Sequence, residues 1–225
     1  MAKKKQTVED QNLENVQEAL ITTSVWIEKN QNKLTWSITI IALVVTGVLA
    51  LNTYVIKPKA VEVSNENAKA VAYFMQGDWE KALNGDDAEC VGFQAIADEY
   101  KMYQGGKLAA LYAGVCYYQL GQYEDAAAYL NKFSANDLTI EPAALQLLGD
   151  AYVQMEDYSK AVKAFESAAK SGNDLRAPMS LKKAGLVYLE LGDKAAAKKA
   201  FEVIKADYPA SSEAQSIDAY IAIAQ

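Results

Sequence analysis

The chain has 225 residues, a formal net charge of −7 and 51% hydrophobic residues. The negative charge argues against binding to nucleic acid and against broad adsorption to anionic lipid. The sequence contains no histidine, which excludes Ser-His-Asp and Cys-His catalysis, histidine-ligated zinc and a histidine pH switch.

The N-terminal segment, residues 1–33, predicts a basic start followed by an amphipathic helix from about Thr7 to Gln31. The side chains that share one face of this helix are apolar: Leu13, Val16, Leu20 and Ile27. Acidic residues cover much of the remaining surface, whereas a lipid-binding helix normally carries lysine and arginine there. We therefore interpret the apolar face as a surface for a protein partner, with the membrane surface as the alternative.

Residues 34–56 form an apolar segment without a charge, closed by Lys33 and Lys57. At ~1.5 Å of rise per residue, a helix of this length covers the ~30 Å hydrocarbon core of a bilayer. The alternatives are a buried core helix and the apolar region of a signal peptide. A core helix is rarely this long without a charge, and a signal peptide does not begin with about thirty polar residues. We predict a retained transmembrane anchor.

The lysines around this segment predict its orientation. Five lysines precede it in residues 1–33, and only Lys57 and Lys59 follow it closely. Cytoplasmic flanks carry the excess of lysine and arginine. The N-terminus is therefore predicted in the cytoplasm and the C-terminal domain outside, which in a bacterium is the periplasm.

One face of the predicted anchor consists of small residues. They are Thr35, Thr39, Ala42, Thr46, Ala50 and Thr53. Small residues let transmembrane helices approach closely, so this face is expected to pack against a transmembrane partner. The alternative is that the threonine hydroxyls bond to their own helix, which is tolerated anywhere in it.

Beyond the anchor, we expect Pro58 to end or kink the helix, residues 57–63 to be a linker and residues 64–225 to form one domain. A repeated pattern runs through this domain: Gly114, Gly149 and Gly185 are equivalent, at spacings of 35 and 36 residues, as are Tyr117, Tyr152 and Tyr188. A fourth copy precedes them and carries about ten extra residues around 84–90. The repeat resembles the tetratricopeptide repeat over roughly residues 61–209.

The resemblance implies an all-α fold. An amphipathic helix and one transmembrane helix would be followed by a solenoid of about four helix pairs. Residues 211–224 predict a helix that caps its open end, with Ala214, Ile217, Tyr220 and Ile221 facing inward.

The order of these parts resembles the YfgM-type family of bacterial envelope proteins, as do the stretches ENVQEAL from Glu14 and WIEKNQNKL from Trp26. The resemblance implies a non-enzymatic accessory subunit of the Sec translocon at the inner membrane. Its implied partners are a SecYEG-type translocon, a membrane-anchored chaperone of the peptidyl-prolyl isomerase type and nascent secretory polypeptides. The alternative is a scaffold for another envelope machine, such as cell-wall synthesis, outer-membrane assembly or secretion.

The aligned repeats also predict a groove that binds polypeptide. Twelve residues are expected near its inner helix faces: Val71, Phe74, Met75, Leu108, Tyr112, Val115, Tyr118, Asp150, Val153, Gln154, Leu186 and Leu189. Many of them are apolar, and an exposed apolar groove usually marks a binding surface. The alternative for each is packing against an adjacent helix.

No catalytic, metal or cofactor site is predicted. Asp86 and its acidic neighbours lack the alternating ligands of a calcium loop and are expected to be solvated. Cys90 is expected in the second helix of the first unit, and Cys116 in the first helix of the second. A disulfide between them requires Cα atoms within ~7 Å, and two free buried thiols are the alternative.

Overall fold

The computed structural model describes residues 8–86, 89–135, 137–170 and 173–225, with side chains at 16, 18 and from 20 onward. Every regular element among the described residues is helical. The chain divides into two compact units between Pro58 and Lys59. The predicted all-α fold is therefore confirmed.

Eleven α-helices follow one another along the described chain, with a π-helical turn at Asn52–Ile56 and a 3-10 turn at Glu213–Ser216. They are α1 (Val8–Leu51), α2 (Lys57–Met75), α3 (Trp79–Asn84), α4 (Phe93–Glu99), α5 (Gln104–Gln119), α6 (Tyr123–Leu130), α7 (Ile140–Gln154), α8 (Tyr158–Ala169), α9 (Arg176–Glu190), α10 (Lys194–Asp207) and α11 (Ile217–Ile223).

The first unit contains α1 and the apolar segment. One helical stretch of the described chain is long and apolar enough to cross a membrane, and none of its most apolar 18-residue window is buried. The core helix of a soluble protein would bury much of such a window.

The π-helical turn at Asn52–Ile56 precedes Pro58. The backbone N–H of Lys57 donates to the carbonyl of Asn52, five residues back. Proline lacks an N–H and its ring crowds the carbonyl four residues before it, so a locally widened turn accommodates it. Pro58 itself lies in the first turn of α2, where proline is tolerated, and does not end the helix there.

The structure corrects the linker predicted at 57–63. These residues are helical, and Val63 is fully buried in the core of the second unit. Glu62 accepts a hydrogen bond of 2.8 Å from the hydroxyl of Tyr100. Residues 57–63 are the first residues of α2. Their lysines and proline suggest a linker in the sequence, although the helical spacing of apolar residues already begins there.

The second unit is a stack of helix pairs, in which α5 packs on α6, α7 on α8 and α9 on α10. The equivalent glycines lie where the helices of a pair cross. A Cβ on Gly149 would stand 2.5 Å from the ring of Phe165, and a Cβ on Gly114 would stand 2.6 Å from Leu130. Only glycine permits this approach, which is the role that the repeat pattern predicts.

The first repeat departs from the others after α3. Its extra residues form a loop, in which Gly85 and Gly92 have φ of 85° and 80°, followed by the short helix α4. Asp86 Oδ1 accepts the backbone N–H groups of Glu89 and Cys90 at 2.7 and 3.0 Å. Cys90 therefore lies in this loop, and its predicted place in a helix is wrong.

The C-terminal cap is a 3-10 turn followed by α11. Ile217 is 1% exposed, and Ala214, Tyr220 and Ile221 pack around it against α9 and α10. The four residues predicted to face inward therefore do so.

Candidate functional site

An apolar cleft of about 370 Å³ lies between α5 and α7, the first helices of the second and third repeats. Its lining side chains are Leu108, Leu111, Tyr112 and Val115 from α5, and Ile140, Ala143, Ala144 and Leu147 from α7. On each helix these positions recur every three or four residues, so each helix turns one apolar stripe toward the other. None of the eight carries a charge, and the Tyr112 hydroxyl is the one polar side-chain group among them. The cleft is therefore suited to binding apolar groups.

Aromatic packing holds the α5 wall in place. The ring of Tyr112 stacks on Phe93 at a centroid distance of 4.8 Å and meets the edge of Phe74 at 4.9 Å. Phe93 is fully buried. Such pairs contribute ~0.5–1.5 kcal/mol beyond their buried area, so this wall is formed before any ligand arrives.

A capping turn holds the α7 wall. Asp137 Oδ1 accepts the backbone N–H groups of Ile140 and Thr139 at 2.5 and 2.7 Å. These two bonds hold the pKa of Asp137 below its ordinary value, so the carboxylate stays charged at neutral pH. Ile140, at the mouth of the cleft, is 44% exposed.

One end of the cleft is polar. One turn beyond Val115 and Leu147 lie Tyr118 and Asp150. Burial raises the pKa of Tyr118, and the negative charge of Asp150 raises it further. Asp150 pairs with Lys183 of α9 at 2.6 Å. A ligand in the cleft would thus have an apolar floor and a charged boundary at this end.

The structure brings three of the twelve predicted groove residues into the cleft: Leu108, Tyr112 and Val115. None of the twelve is fully buried. The other nine lie in four environments. The main core packs against Val71, Phe74 and Tyr118, and smaller clusters pack against Val153 and Leu189. The exposed residues are Met75, Gln154 and Leu186, and Asp150 is ion-paired.

Five lining residues were missed by sequence analysis: Leu111, Ile140, Ala143, Ala144 and Leu147. The repeat period could have identified two of them. Adding 35 residues to Leu108 and Tyr112 gives Ala143 and Leu147.

The two cysteines are free and buried in the structure, so the disulfide left open by the sequence is absent. Both belong to the main core cluster. Burial raises the pKa of the Cys116 thiol to about 12 and also raises that of Cys90. Protonated, buried thiols are poor nucleophiles.

Tyrosine hydroxyls tie neighbouring elements together. Tyr129 donates to Asp98 at 2.7 Å, and Tyr188 donates to Glu166 at 2.8 Å. The pKa of each tyrosine is raised to about 12, mainly by burial and to a smaller extent by the hydrogen bond to its carboxylate. These hydroxyls belong to the packing of the repeats.

The acidic loop around Asp86 is built into the first repeat. The hydroxyl of Tyr73 donates to Asp86 Oδ2 at 2.5 Å. The other carboxylate oxygen of Asp86 accepts hydrogen bonds from the loop backbone. No group of His, Cys, Asp and Glu that could hold a metal ion occurs among the described residues.

The predicted N-terminal surface lies on α1. Val16, Leu20 and Ile27 are exposed, with 57%, 65% and 47% of their surfaces accessible. Leu13 belongs to the helix, but its side chain lies outside the described residues.

The predicted small-residue face of the anchor is exposed in the structure. The hydroxyls of Thr35, Thr39 and Thr46 donate to the carbonyls four residues earlier, at 2.7–2.8 Å. Those protons are used within the helix, as the alternative interpretation expects. The face can still pack closely, but these hydroxyls do not offer donors to a partner in this arrangement.

Stacked helix pairs with an apolar inner cleft define a helical-repeat protein. Residues 147–220 and 108–137 each match a family model described as tetratricopeptide repeat. The chain therefore carries tetratricopeptide repeats, a fold typical of protein-interaction scaffolds. No curated protein matches the sequence.

Solved structures that match this chain include two of MamA and one of pilF from Pseudomonas aeruginosa. The first MamA structure is 20% identical, covers 72% of this chain and 80% of its own, and has a TM-score of 0.54. The second is 24% identical, with coverage of 60% and 72% and a TM-score of 0.47. The pilF structure is 18% identical, with coverage of 65% and 77% and a TM-score of 0.37. At 20% identity and a TM-score of 0.54, the likeness to the first MamA structure concerns the fold alone.

Proposed function

We propose that this chain is a non-enzymatic protein-interaction scaffold at the bacterial inner membrane, whose α5–α7 cleft binds an apolar segment of a polypeptide. The uncharged lining of the cleft is the observation that carries this proposal. Covering an apolar surface that is open to water is favourable by ~25 cal/mol per Å² of apolar area. A large apolar side chain of a partner supplies such cover.

The membrane location rests on the unburied apolar segment of α1 and on the lysine distribution. Residues 34–56 span the bilayer in this proposal, with residues 1–33 in the cytoplasm and the repeats in the periplasm. The N-terminal surface remains a predicted site for a partner in the cytoplasm, and the small-residue face remains a predicted site for a transmembrane partner within the bilayer.

The resemblance to the YfgM-type family supports a place beside the Sec translocon. There the cleft would receive emerging secretory polypeptides or a folding factor of the peptidyl-prolyl isomerase type. A scaffold for another envelope machine is the second candidate, because a tetratricopeptide domain with an apolar cleft suits either role.

Site-specific photo-crosslinking in living cells tests the cleft and the partners together. A photoreactive amino acid at Val115 lies in the cleft, whereas one at Gln122 lies in an exposed turn outside it. We expect Val115 to crosslink to secretory polypeptides or the folding factor, and Gln122 to crosslink much less. Equal crosslinking at both positions contradicts the cleft.

The identity of the captured proteins decides between the two candidates. Translocon subunits in a detergent pull-down of the full chain support the first. Cell-wall, outer-membrane assembly or secretion enzymes, without translocon subunits, support the second.

A further inference from the structure

The loops that join one repeat to the next expose large apolar side chains. Met102 lies between α4 and α5, Leu138 between α6 and α7, and Leu175 between α8 and α9. They are 84%, 68% and 71% exposed. Isolated exposed apolar residues are common on proteins, but here equivalent loops of successive repeats each carry one.

These loops lie side by side on one edge of the repeat domain, which we call the loop edge. Asn173 Nδ2 donates to the carbonyl of Leu138 at 2.7 Å, which joins the last two loops. Lys107 Nζ lies 3.4 Å from Ser134 Oγ and links the start of α5 to the loop before α7.

The chain enters the repeat domain at this same edge. Lys59 Nζ lies 5.4 Å from the ring centroid of Tyr100, next to the Met102 loop, and the Tyr100 hydroxyl donates to Glu62. Lys59 follows the apolar segment by three residues, which span at most ~11 Å even when fully extended. If residues 34–56 cross a bilayer, the point of entry cannot lie far from its surface.

The opposite edge, formed by the turns within each repeat, has different chemistry. Its turn tips are glycine or polar: Gly77 and Asp78, Gly121 and Gln122, Glu156 and Asp157, Gly192 and Asp193. Met75 and Leu191 are exposed beside two of these turns but are not at their tips.

Basic side chains accompany the exposed apolar residues on the loop edge. Lys101 adjoins Met102, and Lys170 lines the same surface cleft as Leu138. Carboxylates offset this charge: Asp174 and Asp207 line one surface cleft with Leu175, and Asp137 and Glu141 line another with Leu138. Apolar insertion, rather than electrostatic attraction, would therefore provide most of the binding to lipid.

We propose that the loop edge rests on the surface of the bilayer that residues 34–56 span, with Met102, Leu138 and Leu175 inserted among the lipid headgroups. Interfacial segments bury their apolar side chains ~5–10 Å into the boundary between headgroups and acyl chains. The side-chain bonds from Asp137 and Asn173 to the backbone of their own loops hold Leu138 and Leu175 outward, so little ordering is required. The inference rests on the proposed membrane anchor.

The test uses the full chain reconstituted in vesicles of phosphatidylethanolamine and phosphatidylglycerol. An environment-sensitive fluorophore is attached at Leu138→Cys and, as the control on the opposite edge, at Gln122→Cys. The native cysteines are buried, and the unsubstituted chain measures any labelling of them. We expect lipids that carry a shallow spin label to quench the fluorophore at position 138 several-fold more than at position 122. Leu175→Cys should reproduce the result at position 138.

Equal and weak quenching at positions 138 and 122 overturns the proposal. Carbonate extraction separates this failure from failure of the anchor. A chain that is extracted from the vesicles contradicts both proposals, whereas a retained chain without quenching contradicts only the bilayer contact. Shielding of position 138 in native membranes, without quenching in pure lipid, also overturns the proposal, because a protein then covers the loop edge.

Discussion

The two sides of α7 form junctions of opposite character with the neighbouring repeats. Toward α5, its side chains are apolar and leave an open cleft. Toward α9, Gln146 is 5% exposed and donates to Ser180 Oγ at 2.6 Å, while Arg176 Nη1 donates back to Gln146 Oε1 at 3.0 Å. The α7–α9 junction thus pairs the Gln146 amide with groups of the same chain, although the buried Arg176 Nε has no hydrogen-bond partner, whereas the apolar surface of the α5–α7 junction stays open to a ligand.

The difference shows that the repeat fold does not by itself create a binding site. Gln146 and Leu147 are adjacent in sequence, but their side chains point to different sides of α7. The polar Gln146 bonds across the α7–α9 junction and closes it, whereas the apolar Leu147 lines the open α5–α7 cleft. A buried amide needs partners in fixed positions, which also sets how the helices meet. An apolar stripe imposes no such geometry and can accept different apolar groups.

Removal of the Gln146 side chain should produce the largest effect. Gln146→Ala leaves the Arg176 guanidinium and the Ser180 hydroxyl without a partner on α7 and opens a small cavity. We expect the free energy of unfolding to fall by about 2–3 kcal/mol. Urea denaturation followed by helical circular dichroism measures the change.

Gln154→Ala is the matched control for this variant. Gln154 is the exposed last residue of the same helix, so its loss should change stability by less than about 0.5 kcal/mol. Equal losses in the two variants would mean that the Gln146 bonds do not stabilise the junction.

Filling the cleft should weaken binding without harming the fold. Ala143→Trp places an indole in the space between α5 and α7. We expect affinity for a reduced, carboxymethylated model polypeptide to fall about tenfold, which corresponds to ~1.4 kcal/mol. Fluorescence anisotropy of the labelled polypeptide measures it, and Ala128→Trp on the exposed face of α6 should bind as the unsubstituted chain does. Undiminished binding by Ala143→Trp would place the site elsewhere.

The sequence predicted the parts of the fold that recur. The glycines at 114, 149 and 185 mark helix crossings because their spacing repeats, and Ile217 faces inward because the tail has a clear helical period. Leu108, Tyr112 and Val115 were found in the same way. These features depend on local spacing, which is visible in one sequence.

Features that occur once were not predictable in this way. The loop before α4 depends on glycines with positive φ and on bonds from one aspartate, for which no second copy exists to compare. The Gln146 network joins residues 30 and 34 positions apart across two helices. No local pattern distinguishes a glutamine with buried partners from a solvated one.

The ion pair beside the cleft should contribute a smaller amount. Asp150 and Lys183 retain 29% and 37% exposure of their side chains, so solvent screens their attraction. We expect Asp150→Asn to lower the free energy of unfolding by about 0.2–1 kcal/mol. Asp125→Asn, at an exposed position of α6, is the control. In ~1 M salt the difference between the two variants should shrink, because the Debye length is then ~3 Å. A difference that persists would point to hydrogen bonding rather than charge.

The two turns that follow the cleft helices differ as well, and pH should reveal the difference. The turn before α8 has Asp157, whose carboxylate accepts the backbone N–H of Lys160 at 3.2 Å and pairs with its ammonium at 2.6 Å. The turn before α6 has Gln122, which makes no side-chain cap bond. The Lys160 side chain, aided by that N–H, holds the pKa of Asp157 below its ordinary 3.8.

The cap at Asp157 therefore contributes stability that is fully present above the pKa of the unfolded chain and is lost as pH falls through the lower pKa of the folded chain. Asp157→Asn keeps an acceptor for the N–H but does not titrate. We expect the unsubstituted chain to melt slightly higher than this variant at about pH 6, and the gap to close toward about pH 3. Gln122→Asn should show no such pH-dependent gap. If the gap for Asp157→Asn were constant across this range, the charge of Asp157 would not contribute to the cap, and α6 and α8 would begin with turns of the same electrostatic character.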